Sequence, residues 1–479
     1  EVRFRVVLRH YLRKSASTLM RIKKFILLIG DIIILYASLI LALAIRYGKF
    51  DFPTFENHFT SFTIIFFVWL VVFFIHNLYD LDIAKNNTIF YSALLRATLI
   101  NAGLAIAFFY FIPQIFFIGI APKTNLFLVI LVFLALFWLW RNIFNKIAGT
   151  SLNINTAIIG HNPQTIELAE EIKKNPQLGY KLKFILSAYD RPAEGWKDAE
   201  KIEGVEMRTG LGNLKDILVQ EKIGMAIIAP EVYKSIDVIQ NLFECLRHKI
   251  DFTNLSTFYE KFTQRVPISA INQVWFLENI SQNRKGLYEF SKRVFDFLGA
   301  LILFIISLPF WPFIALSIKM SSSGPVFYKQ TRIGQNGKPF KLTKFRTMIK
   351  DAEKEGPKMA QENDFRVTKI GRFLRKTRID EIPQLWNIIK GEMSFIGPRA
   401  ERPEFLEELK KQIPFYQERY LIKPGLSGWA QIRHGYSSSI ADNFEKIQYD
   451  LYYVKNRSLP FDLGIILKTI NIVLKGGGR

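Results

Sequence analysis

The stretch SKRVFDFLGALILFIISLPFWPFIALSIKM, residues 291–320, decides how the rest of the chain is arranged. Its apolar run is long enough to cross a hydrocarbon core of about 30 Å. A full crossing would put everything after residue 320 on the opposite side of the membrane from the region before it. Pro309 and Pro312 predict a kink, because proline lacks the backbone donor and clashes with the preceding turn. A helix broken at Ser307-Leu308-Pro309 would return to the same face, and the local sequence leaves both arrangements open.

Four more apolar stretches lie in the N-terminal third, and each is about long enough to span a membrane. They cover residues 25–45, 61–79, 97–119 and 125–140. The first follows a basic lead, but it is too long for a signal peptide and no clear small-residue cleavage site follows it. The sequence therefore predicts four transmembrane helices.

The distribution of basic residues predicts the orientation of this bundle. Lys85 and Arg96 lie between the second and third spans, and Arg141 and Lys146 follow the fourth. Together with the basic N-terminus, this bias places both ends of the bundle in the cytoplasm. Asp31 lies inside the first span, either as a functional intramembrane acid or, as we favour, as a partly hydrated packing residue near the cytoplasmic end.

Strand-like and helix-like patterns alternate over residues 149–262, which predicts a small α/β domain with a parallel sheet. The segment NTAIIGHN, residues 155–162, has the pattern of a strand followed by a tight turn. A dinucleotide site would need a glycine-rich turn at this point, and only Gly160 is present. We therefore favour a structural or regulatory role for this domain over nucleotide binding.

The composition implies an anionic partner. The chain of 479 residues has 64 Lys and Arg against 42 Asp and Glu, which gives a formal net charge of +22. Nucleic acid, acidic lipid headgroups and phosphorylated substrates all carry the required charge. We expect no nucleic acid, because part of the excess charge flanks apolar segments and no nucleic-acid-binding motif is present. Cys245 is the single cysteine, which excludes an internal disulfide and a multi-cysteine metal site.

Charged motifs crowd together after residue 320, and RIDEIPQLWN (378–387) places two carboxylates, Asp380 and Glu381, side by side. The segment EIPQLWNIIK has the pattern of a helix with Pro383 in its first turn and Asp380 as the N-cap. A helix N-terminus favours negative charge, whether from a carboxylate or from a bound phosphate. Adjacent helical positions do not share a face, so we expect one carboxylate to attack phosphorus and the other to hold Mg²⁺.

The basic residues of these motifs carry more charge than two carboxylates neutralise. They are Lys344, Arg346, Arg375, Arg378, Arg399 and Arg402. A diphosphate substrate would balance them, with the guanidinium groups stabilising charge on the phosphoryl oxygens. A capped surface helix with ordinary salt bridges is the alternative explanation of the acidic pair.

Three segments occur in a fixed order: KFRTM, RIDEIPQLWNIIKGEMSFIGPRAERPEF and KPGLSGWAQI. Together they resemble the bacterial sugar transferase family, the polyprenyl-phosphate glycosyl-1-phosphate transferases that begin exopolysaccharide, capsule and O-antigen assembly. The resemblance is close over residues 290–479 and looser over the whole chain. Large members have four membrane helices, a Rossmann-like domain and a membrane-dipping helix, which favours the re-entrant arrangement of residues 291–320. The chain departs from the pattern at Ala400, where many members have proline, and at Arg378, where many have serine.

The resemblance implies a reaction and roles for individual residues. Asp380 would attack the β-phosphorus of a UDP-sugar and expel UMP, and undecaprenyl phosphate would then accept the sugar phosphate from the aspartate. Glu381 matches the family's Mg²⁺ ligand. The positions matched to phosphate contact or active-site organisation are Lys344, Arg375 and Arg399, and those at the lipid interface are Lys292 and Arg293, with the break at Ser307 and Pro309 beside them. UDP-glucose and UDP-galactose are the leading donors by resemblance, and an N-acetylated sugar stays open.

The expected fold class is a four-span membrane α-helical bundle, a Rossmann-like α/β domain, and a mixed, mainly α catalytic domain with a re-entrant membrane helix. The predicted segments are a basic cytoplasmic N-terminus (1–24), the transmembrane region (25–148), the α/β domain (149–262), a linker (263–290), the re-entrant helix (291–320) and the catalytic domain (321–479). We expect a protein of the bacterial inner membrane whose catalytic domain faces the cytoplasm, and the resemblance implies a homodimer.

Two other functions stay open at this point. Tyr288 and Lys292 have the four-residue spacing used by nucleotide-sugar dehydratases and epimerases, but no glycine-rich turn precedes them and an apolar segment follows at once. A non-catalytic scaffold of polysaccharide export would leave the acidic pair and its arginines unexplained.

Overall fold

The computed structural model describes two compact units, Glu1–Thr263 and Gln264–Arg479. The described residues are 15–81, 85–111, 123–150, 153–187, 205–209, 214–234, 236–248, 250–280, 286–350, 352, 364–434 and 439–474.

The N-terminal unit begins with four apolar helices, each long and apolar enough to cross a membrane. They are α1 (Ser15–Tyr47), α2 (Phe52–Ile75), α3 (Thr88–Phe111) and α4 (Lys123–Thr150). The four predicted apolar segments are therefore confirmed as helices. Residues 1–14 of the predicted basic N-terminus and residues 112–119 of the predicted third span lie outside the described residues.

Helices α2 and α3 begin earlier than the apolar runs suggested. The Asp51 carboxylate accepts a hydrogen bond from the backbone N–H of Thr54 at 3.1 Å and so caps α2, with a proline in its first turn. Because α3 begins at Thr88, Arg96 lies on a helix and not in a loop, which corrects the prediction. Polar capping residues start a helix before its apolar stretch, so hydropathy alone places the start too late.

Asp31 of α1 is fully buried and pairs with Arg141 of α4 at 2.6 Å. The indole N–H of Trp140 donates to the same carboxylate at 3.1 Å, and Arg141 also donates to the carbonyl of Leu78 at 2.9 Å. A buried charge with an opposite charge and further hydrogen bonds is a stable arrangement inside an apolar bundle. This geometry agrees with a packing role for Asp31, but its full burial corrects the partial hydration that we expected.

The α/β domain follows the bundle, and its sheet is entirely parallel in the order β3-β2-β1-β4-β5. Its elements are β1 (Ile154–Ile159), α5 (Pro163–Lys174), β2 (Tyr180–Ser187), β3 (Glu206–Thr209), α6 (Leu214–Gln220), β4 (Met225–Ile228), α7 (Ile236–Glu244), β5 (Asp251–Asn254) and α8 (Leu255–Thr263). The prediction of a small parallel-sheet α/β domain is confirmed.

The sheet order reverses between β1 and β4, where open α/β sheets bind ligands beyond the carboxyl ends of the strands. We call this place the β1–β4 crevice; Gly160, Asn162 and Glu231 lie in it. Gly160 has φ +108°, and a Cβ there would lie 2.5 Å from the Cβ of Ala229 and 2.8 Å from a carboxylate oxygen of Glu231. Glu231 accepts a hydrogen bond from the Asn162 amide at 2.9 Å. Glycine at this turn thus makes room for Glu231, an anion where a phosphate would have to sit.

The C-terminal unit is mainly helical, and its described residues form two two-stranded sheets and one isolated β-bridge. Its elements are α9 (Gln273–Asn279), α10 (Gly286–Ser307), α11 (Trp311–Ser321), β6 (Phe327–Ile333), β7 (Pro339–Phe345), α12 (Lys369–Lys376), α13 (Leu385–Lys390), β8 (Ser394–Ile396), α14 (Pro403–Gln412), β9 (Gly425–Ser427), α15 (Trp429–Arg433), α16 (Ile440–Asn456) and α17 (Leu459–Leu474). Strands β6 and β7 form an antiparallel hairpin, β8 and β9 pair in parallel, and Met348 bridges Val367.

The apolar segment that begins this unit is broken where the sequence predicted. Helix α10 ends at Ser307, a 3₁₀ turn covers Leu308–Phe310, and α11 continues from Trp311. The Ser307 hydroxyl donates to the carbonyl of Phe304 at 2.7 Å and accepts from the indole N–H of Trp311 at 3.1 Å. These bonds satisfy polar groups at a break that Pro309 makes necessary.

Candidate active site

The acidic pair lies on a short 3₁₀ helix, Ile379–Gln384, packed against the β6–β7 hairpin. Arg378 precedes this helix in the left-handed conformation, with φ +60°, and turns the chain away from α12. Asp380 therefore lies inside the first turn and is not the N-cap, which corrects the prediction. The regular α-helix begins only at Leu385, after the proline of the 3₁₀ segment.

Glu381 is held by cations. Its carboxylate accepts a hydrogen bond from the Lys344 ammonium at 2.9 Å and lies 3.5 Å from the Arg378 guanidinium. Burial opposes ionisation of Glu381, but Lys344, Arg399 and Arg378 outweigh it and hold the pKa of the Glu381 carboxyl below its usual range. Glu381 is thus a fixed anion at the base of the site.

Asp380 is buried as deeply but has a different environment. One of its carboxylate oxygens, Oδ1, is buried and has no hydrogen-bond partner among the described residues. Burial, together with the charge of Glu381, outweighs Lys344, Arg375 and Arg378 and raises the pKa of Asp380 to about 6. An ionised carboxylate without hydrogen bonds keeps its lone pairs available, which a nucleophile requires. The two acids therefore differ in environment, and the difference in their roles stays a prediction.

A narrow cleft opens over Glu381, and we call it the catalytic cleft. Its walls come from β6, β7, the 3₁₀ helix and the loops around β8 and β9, with the lining residues Arg332, Leu342, Lys344, Glu381, Gln384, Met393, Arg399, Ala400, Gly425 and Leu426. Two of the predicted phosphate-binding residues, Lys344 and Arg399, therefore lie in it. The buried Arg419 donates to the carbonyl of Arg399 at 3.1 Å and pairs with Asp450 at 2.7 Å, which fixes this loop.

Arg332 is a cleft residue that the sequence reasoning missed. It donates to the carbonyl of Ala400 at 2.9 Å. Burial and the positive charge of Arg399 lower the pKa of its guanidinium to about 10. In the hairpin register Tyr328 lies opposite Lys344 and Arg332 opposite Phe340. Side chains alternate between the faces of a strand, so Arg332 shares its face with Lys344. The sequence did contain a signal for Arg332. Once Tyr328 is paired with Lys344, the two-residue period of a strand places Arg332 on the same face of the hairpin as Lys344.

The other predicted cations have contacts of their own. Arg375 donates to the Thr347 hydroxyl at 2.9 Å and is close enough to act on the charge of Asp380. Arg346 donates to the carbonyl and hydroxyl oxygens of Ser322, at 2.7 and 3.0 Å, and so ties β7 to the end of α11. Arg402 precedes α14 and lies 3.6 Å from Glu404. A phosphate role for these three residues stays a prediction.

The predicted lipid-interface residues Lys292 and Arg293 contact other residues of the C-terminal unit. Lys292 pairs with Asp462 at 2.8 Å, and Tyr288 donates to the same carboxylate oxygen at 2.8 Å. The dehydratase-like spacing of Tyr288 and Lys292 therefore serves one packing contact with α17. Arg293 donates to the carbonyls of Ile388 and Ile389, both at 2.7 Å, at the C-terminal end of α13. These bonds join α10 to the catalytic domain, and lipid contact of both residues stays a prediction.

The donor set suits a cation that the substrate helps to bind. The described residues contain no group of three or more His, Cys, Asp or Glu side chains placed to hold a metal. Mg²⁺ needs no such cage, because it is usually held by one or two carboxylates with substrate phosphates and waters. The two buried carboxylates of Asp380 and Glu381, one with an oxygen that lacks a partner, fit that mode.

The chain is similar to known transferases over much of this unit. The model of the family described as Bacterial sugar transferase matches residues 287–476. A protein of Aeromonas hydrophila named UDP-N-acetylgalactosamine-undecaprenyl-phosphate N-acetylgalactosaminephosphotransferase is 39% identical over 50% of this chain and 55% of its own length. A Klebsiella pneumoniae protein named UDP-glucose:undecaprenyl-phosphate glucose-1-phosphate transferase is 32% identical over 66% of each chain.

A shorter relative has a higher identity over a shorter stretch of this chain. The putative undecaprenyl-phosphate N-acetylgalactosaminyl 1-phosphate transferase of Bacillus subtilis is 52% identical over 27% of this chain and 72% of its own length. The chain spans between about half and two thirds of the Aeromonas and Klebsiella relatives. The matched residues include the acidic pair, the cleft and both limbs of the broken helix. The chain therefore belongs to the bacterial sugar transferase family.

Proposed function

We propose that this chain transfers a sugar 1-phosphate from a UDP-sugar to undecaprenyl phosphate, releases UMP and forms a covalent intermediate on Asp380. The observation that carries the proposal is the buried Asp380 oxygen, which has no hydrogen-bond partner in the described part of the chain, beside a Glu381 carboxylate held by Lys344 and Arg378. The names of the relatives, which include both glucose and N-acetylgalactosamine transferases, support the reaction class. The donor is a UDP-hexose or a UDP-N-acetylhexosamine.

The reaction has two displacements. An Asp380 carboxylate oxygen attacks the β-phosphorus, the bond from that phosphorus to the oxygen bridging the two phosphates breaks, and UMP leaves with the bond's electron pair. A phosphate oxygen of undecaprenyl phosphate then attacks the same phosphorus, and the Asp380 carboxylate leaves. Each attack needs an ionised nucleophile, and Asp380 meets this need because its pKa of about 6 lies below neutral pH.

The cations of the cleft stabilise the charge that builds up in both steps. Lys344, Arg332 and Arg399 line the cleft beside Glu381, where donors fixed before reaction cost little reorganisation. Glu381 would hold Mg²⁺, which neutralises phosphate charge when bound. Within the protein, Lys344 and Arg378 keep Glu381 ionised and in position.

The same proposal includes a membrane arrangement. The four apolar helices of the N-terminal unit cross the bacterial inner membrane, the catalytic unit faces the cytoplasm where UDP-sugars are made, and the α10–α11 segment is re-entrant. The contacts of both limbs support this last point. Asp296 of α10 accepts a hydrogen bond from the backbone N–H of Phe395 at 3.1 Å, and Ile318 of α11 packs with Phe345 and Leu374.

Asp296 and Ile318 lie on opposite sides of the break, and a straight helix would separate them by about 33 Å, the thickness of a hydrocarbon core. Because both contact the same domain, return to one membrane face accounts for the packing better than a crossing. A homodimer stays a prediction, which light scattering of the purified protein in nanodiscs would test.

The decisive experiment follows UMP and the protein-bound phosphate together. Purified full-length chain is mixed with a panel of UDP-sugars labelled at the β-phosphate, first without undecaprenyl phosphate. We expect a burst of UMP close to the amount of enzyme, with label retained on the denatured protein and released when undecaprenyl phosphate is added. Asp380→Asn should abolish both the burst and the label and lower turnover by at least about 10,000-fold.

The matched control is Asp216→Asn, the same chemical change at an exposed carboxylate of α6 in the α/β domain, which should keep full activity. Asp380→Asn should not lower the Tm, because asparagine keeps the shape and removes a buried charge. UMP release in the Asp380→Asn variant at the wild-type rate would disprove the covalent role of this residue.

A further inference from the structure

A basic cleft lies in the N-terminal unit, at the end of the helical bundle that carries the α/β domain. Its walls are the α2–α3 connection, the last turns of α4, the end of α5 and the 3₁₀ turn that follows α5. The lining residues are Lys85, Asn86, Asn142, Asn145, Lys146, Lys173, Lys174, Pro176 and Gln177. Its volume of about 610 Å³ falls within the range of small-molecule sites.

The lining of the basic cleft is suited to an anion. Four of its nine lining residues are lysines and four are Asn or Gln, and these nine include no carboxylate. Lys85 donates to the carbonyl of Lys174 at 2.7 Å and to the Asn175 side-chain oxygen at 3.3 Å. Both acceptors are uncharged, and no carboxylate pairs with Lys85 among the residues that the structure describes. Lys174 pairs with Glu170 at 3.1 Å. The Lys174 side chain is 64% exposed and that of Glu170 50%, so this ion pair is weak.

The walls of the basic cleft are held together by hydrogen bonds between the bundle and the α/β domain. The buried Lys23 of α1 donates to the carbonyl of Gln177 at 3.1 Å, and Lys85 reaches the end of α5. Within the bundle, Asn145 donates to Asn86 at 2.8 Å. The lysines therefore line a cleft whose walls are fixed by hydrogen bonds.

Exposed apolar side chains lie on the helix that supplies part of this cleft. Ile143 and Ile147 of α4, each 45% exposed, are one turn apart on the helix that also supplies Asn142, Asn145 and Lys146. They end an apolar helix long enough to cross a membrane. A phosphate beside exposed isoleucines at the end of such a helix is the arrangement of a lipid, with acyl chains along the helix and the headgroup among the lysines.

We propose that the basic cleft binds the phosphate headgroup of an anionic phospholipid from the leaflet on the α/β-domain side. The bound lipid would bridge α4 of the bundle to α5 of the α/β domain through Lys146 and Lys173. This site shares no lining residue with the catalytic cleft. Its test measures lipid binding alone, so the result does not depend on the transferase proposal.

The test is a lipid titration of the purified full-length chain in neutral detergent, followed by native mass spectrometry. The probes are phosphatidylglycerol and phosphatidylcholine with identical acyl chains, and the measured quantity is the dissociation constant of the first bound lipid. We expect wild type to prefer phosphatidylglycerol. The double variant Lys146→Gln/Lys173→Gln should bind it about 25-fold more weakly, at roughly five-fold for each lysine near the lipid.

The control is Lys181→Gln/Lys215→Gln, which removes the same charge from two exposed lysines of the α/β domain outside the basic cleft, and it should bind like wild type. The thermal melts of both double variants check folding, and Lys173→Gln alone, at an exposed site, gives a roughly five-fold effect if the cleft double variant is unstable. Equal affinity for the two lipids, or wild-type affinity in the cleft variant, would overturn the proposal.

A soluble source of phosphate is tested in the same titration. Millimolar inorganic phosphate should leave phosphatidylglycerol bound to the wild-type protein. If inorganic phosphate displaced the lipid and raised the Tm of wild type but not of Lys146→Gln/Lys173→Gln, the basic cleft would be a site for a soluble anion and the lipid assignment would be wrong.

Discussion

In the β1–β4 crevice the carboxylate of Glu231 accepts a hydrogen bond from the Asn162 amide, whereas in the catalytic cleft the carboxylate of Glu381 is held by Lys344 and Arg378. Both acids occupy places where a phosphate-bearing ligand could bind. An acid held by an amide adds negative charge and repels phosphate, but an acid surrounded by an excess of cations leaves a positive field for it. Both places contain a carboxylate. The groups that contact this carboxylate decide whether the place repels a phosphate, as in the β1–β4 crevice, or attracts one, as in the catalytic cleft.

Among the substitutions that leave the proposed nucleophile Asp380 in place, the largest effect should come from Glu381→Gln. The substitution keeps the side chain's shape but removes the charge that Lys344 and Arg378 hold, and with it the group that would bind Mg²⁺. We expect the kcat for UMP release to fall by about 100- to 1,000-fold, as when other preorganised electrostatic groups are removed. Steady-state UMP assays at saturating UDP-sugar measure this, and a loss of less than about ten-fold would mean that Glu381 only packs.

The second effect concerns pH and separates Asp380 from ordinary carboxylates. Because the pKa of Asp380 is about 6, its nucleophilic form is lost as the pH falls through that value. We expect kcat/KM to be level above pH of about 6 and to fall about ten-fold per pH unit below it. The charge of Glu381 raises the pKa of Asp380, so the residual activity of Glu381→Gln should show this fall at lower pH. If kcat/KM fell only at the pH of an ordinary carboxyl group, and fell at the same pH in Glu381→Gln, the titrating group would not be Asp380.

A smaller effect should follow from Arg332→Gln. This variant loses a cation of the catalytic cleft but leaves Glu381 and its two partners in place. Loss of one charge-assisted phosphate contact should lower kcat/KM by roughly ten-fold, with Arg332→Lys retaining part of it. Arg247→Gln, at an exposed position of the α/β domain, is the matched control and should have no effect. Equal kinetics for Arg332→Gln and wild type would remove Arg332 from the site.

The smallest effect should come from Glu231→Gln, the same substitution made in the β1–β4 crevice. UMP release should be unchanged, and loss of one hydrogen bond to a charged group should lower the free energy of unfolding by about 1 kcal/mol. Denaturant titration of the purified protein measures the second quantity. A drop in UMP release comparable to that of Glu381→Gln would contradict the distinction between the two clefts.

The sequence predicted the features that depend on local patterns. Apolar runs located the four N-terminal helices, alternation located the α/β domain, and the proline pair located the break after Ser307. The starts of α2 and α3 were missed because capping residues set them: Asp51 caps α2, and the Asn87 side chain accepts from the backbone N–H of Phe90 in the first turn of α3. Asp380 as an N-cap was wrong because the left-handed turn at Arg378 begins a 3₁₀ helix.

The residues that needed tertiary information were those whose role depends on a distant partner. The sequence did not indicate that Lys292 pairs with Asp462, 170 residues later. Arg332 passed unnoticed because its place in the cleft depends on the hairpin register and on the Ala400 loop. A single sequence gives the type of a side chain and the period of its neighbours, and long-range pairing is set only when the elements pack.

The broken helix also has a consequence for how the protein is made. Its docking partners on the catalytic domain are translated long after it: 99 residues separate Asp296 from Phe395, and 170 separate Lys292 from Asp462. At roughly 5 to 20 residues per second, the second interval lasts about 10 to 30 s. During that time the hydroxyl of Ser307 and the indole of Trp311 lie within one short stretch of chain and can already pair. The 3₁₀ turn between α10 and α11 can therefore form before the residues that α10 contacts in the rest of the C-terminal unit have been made.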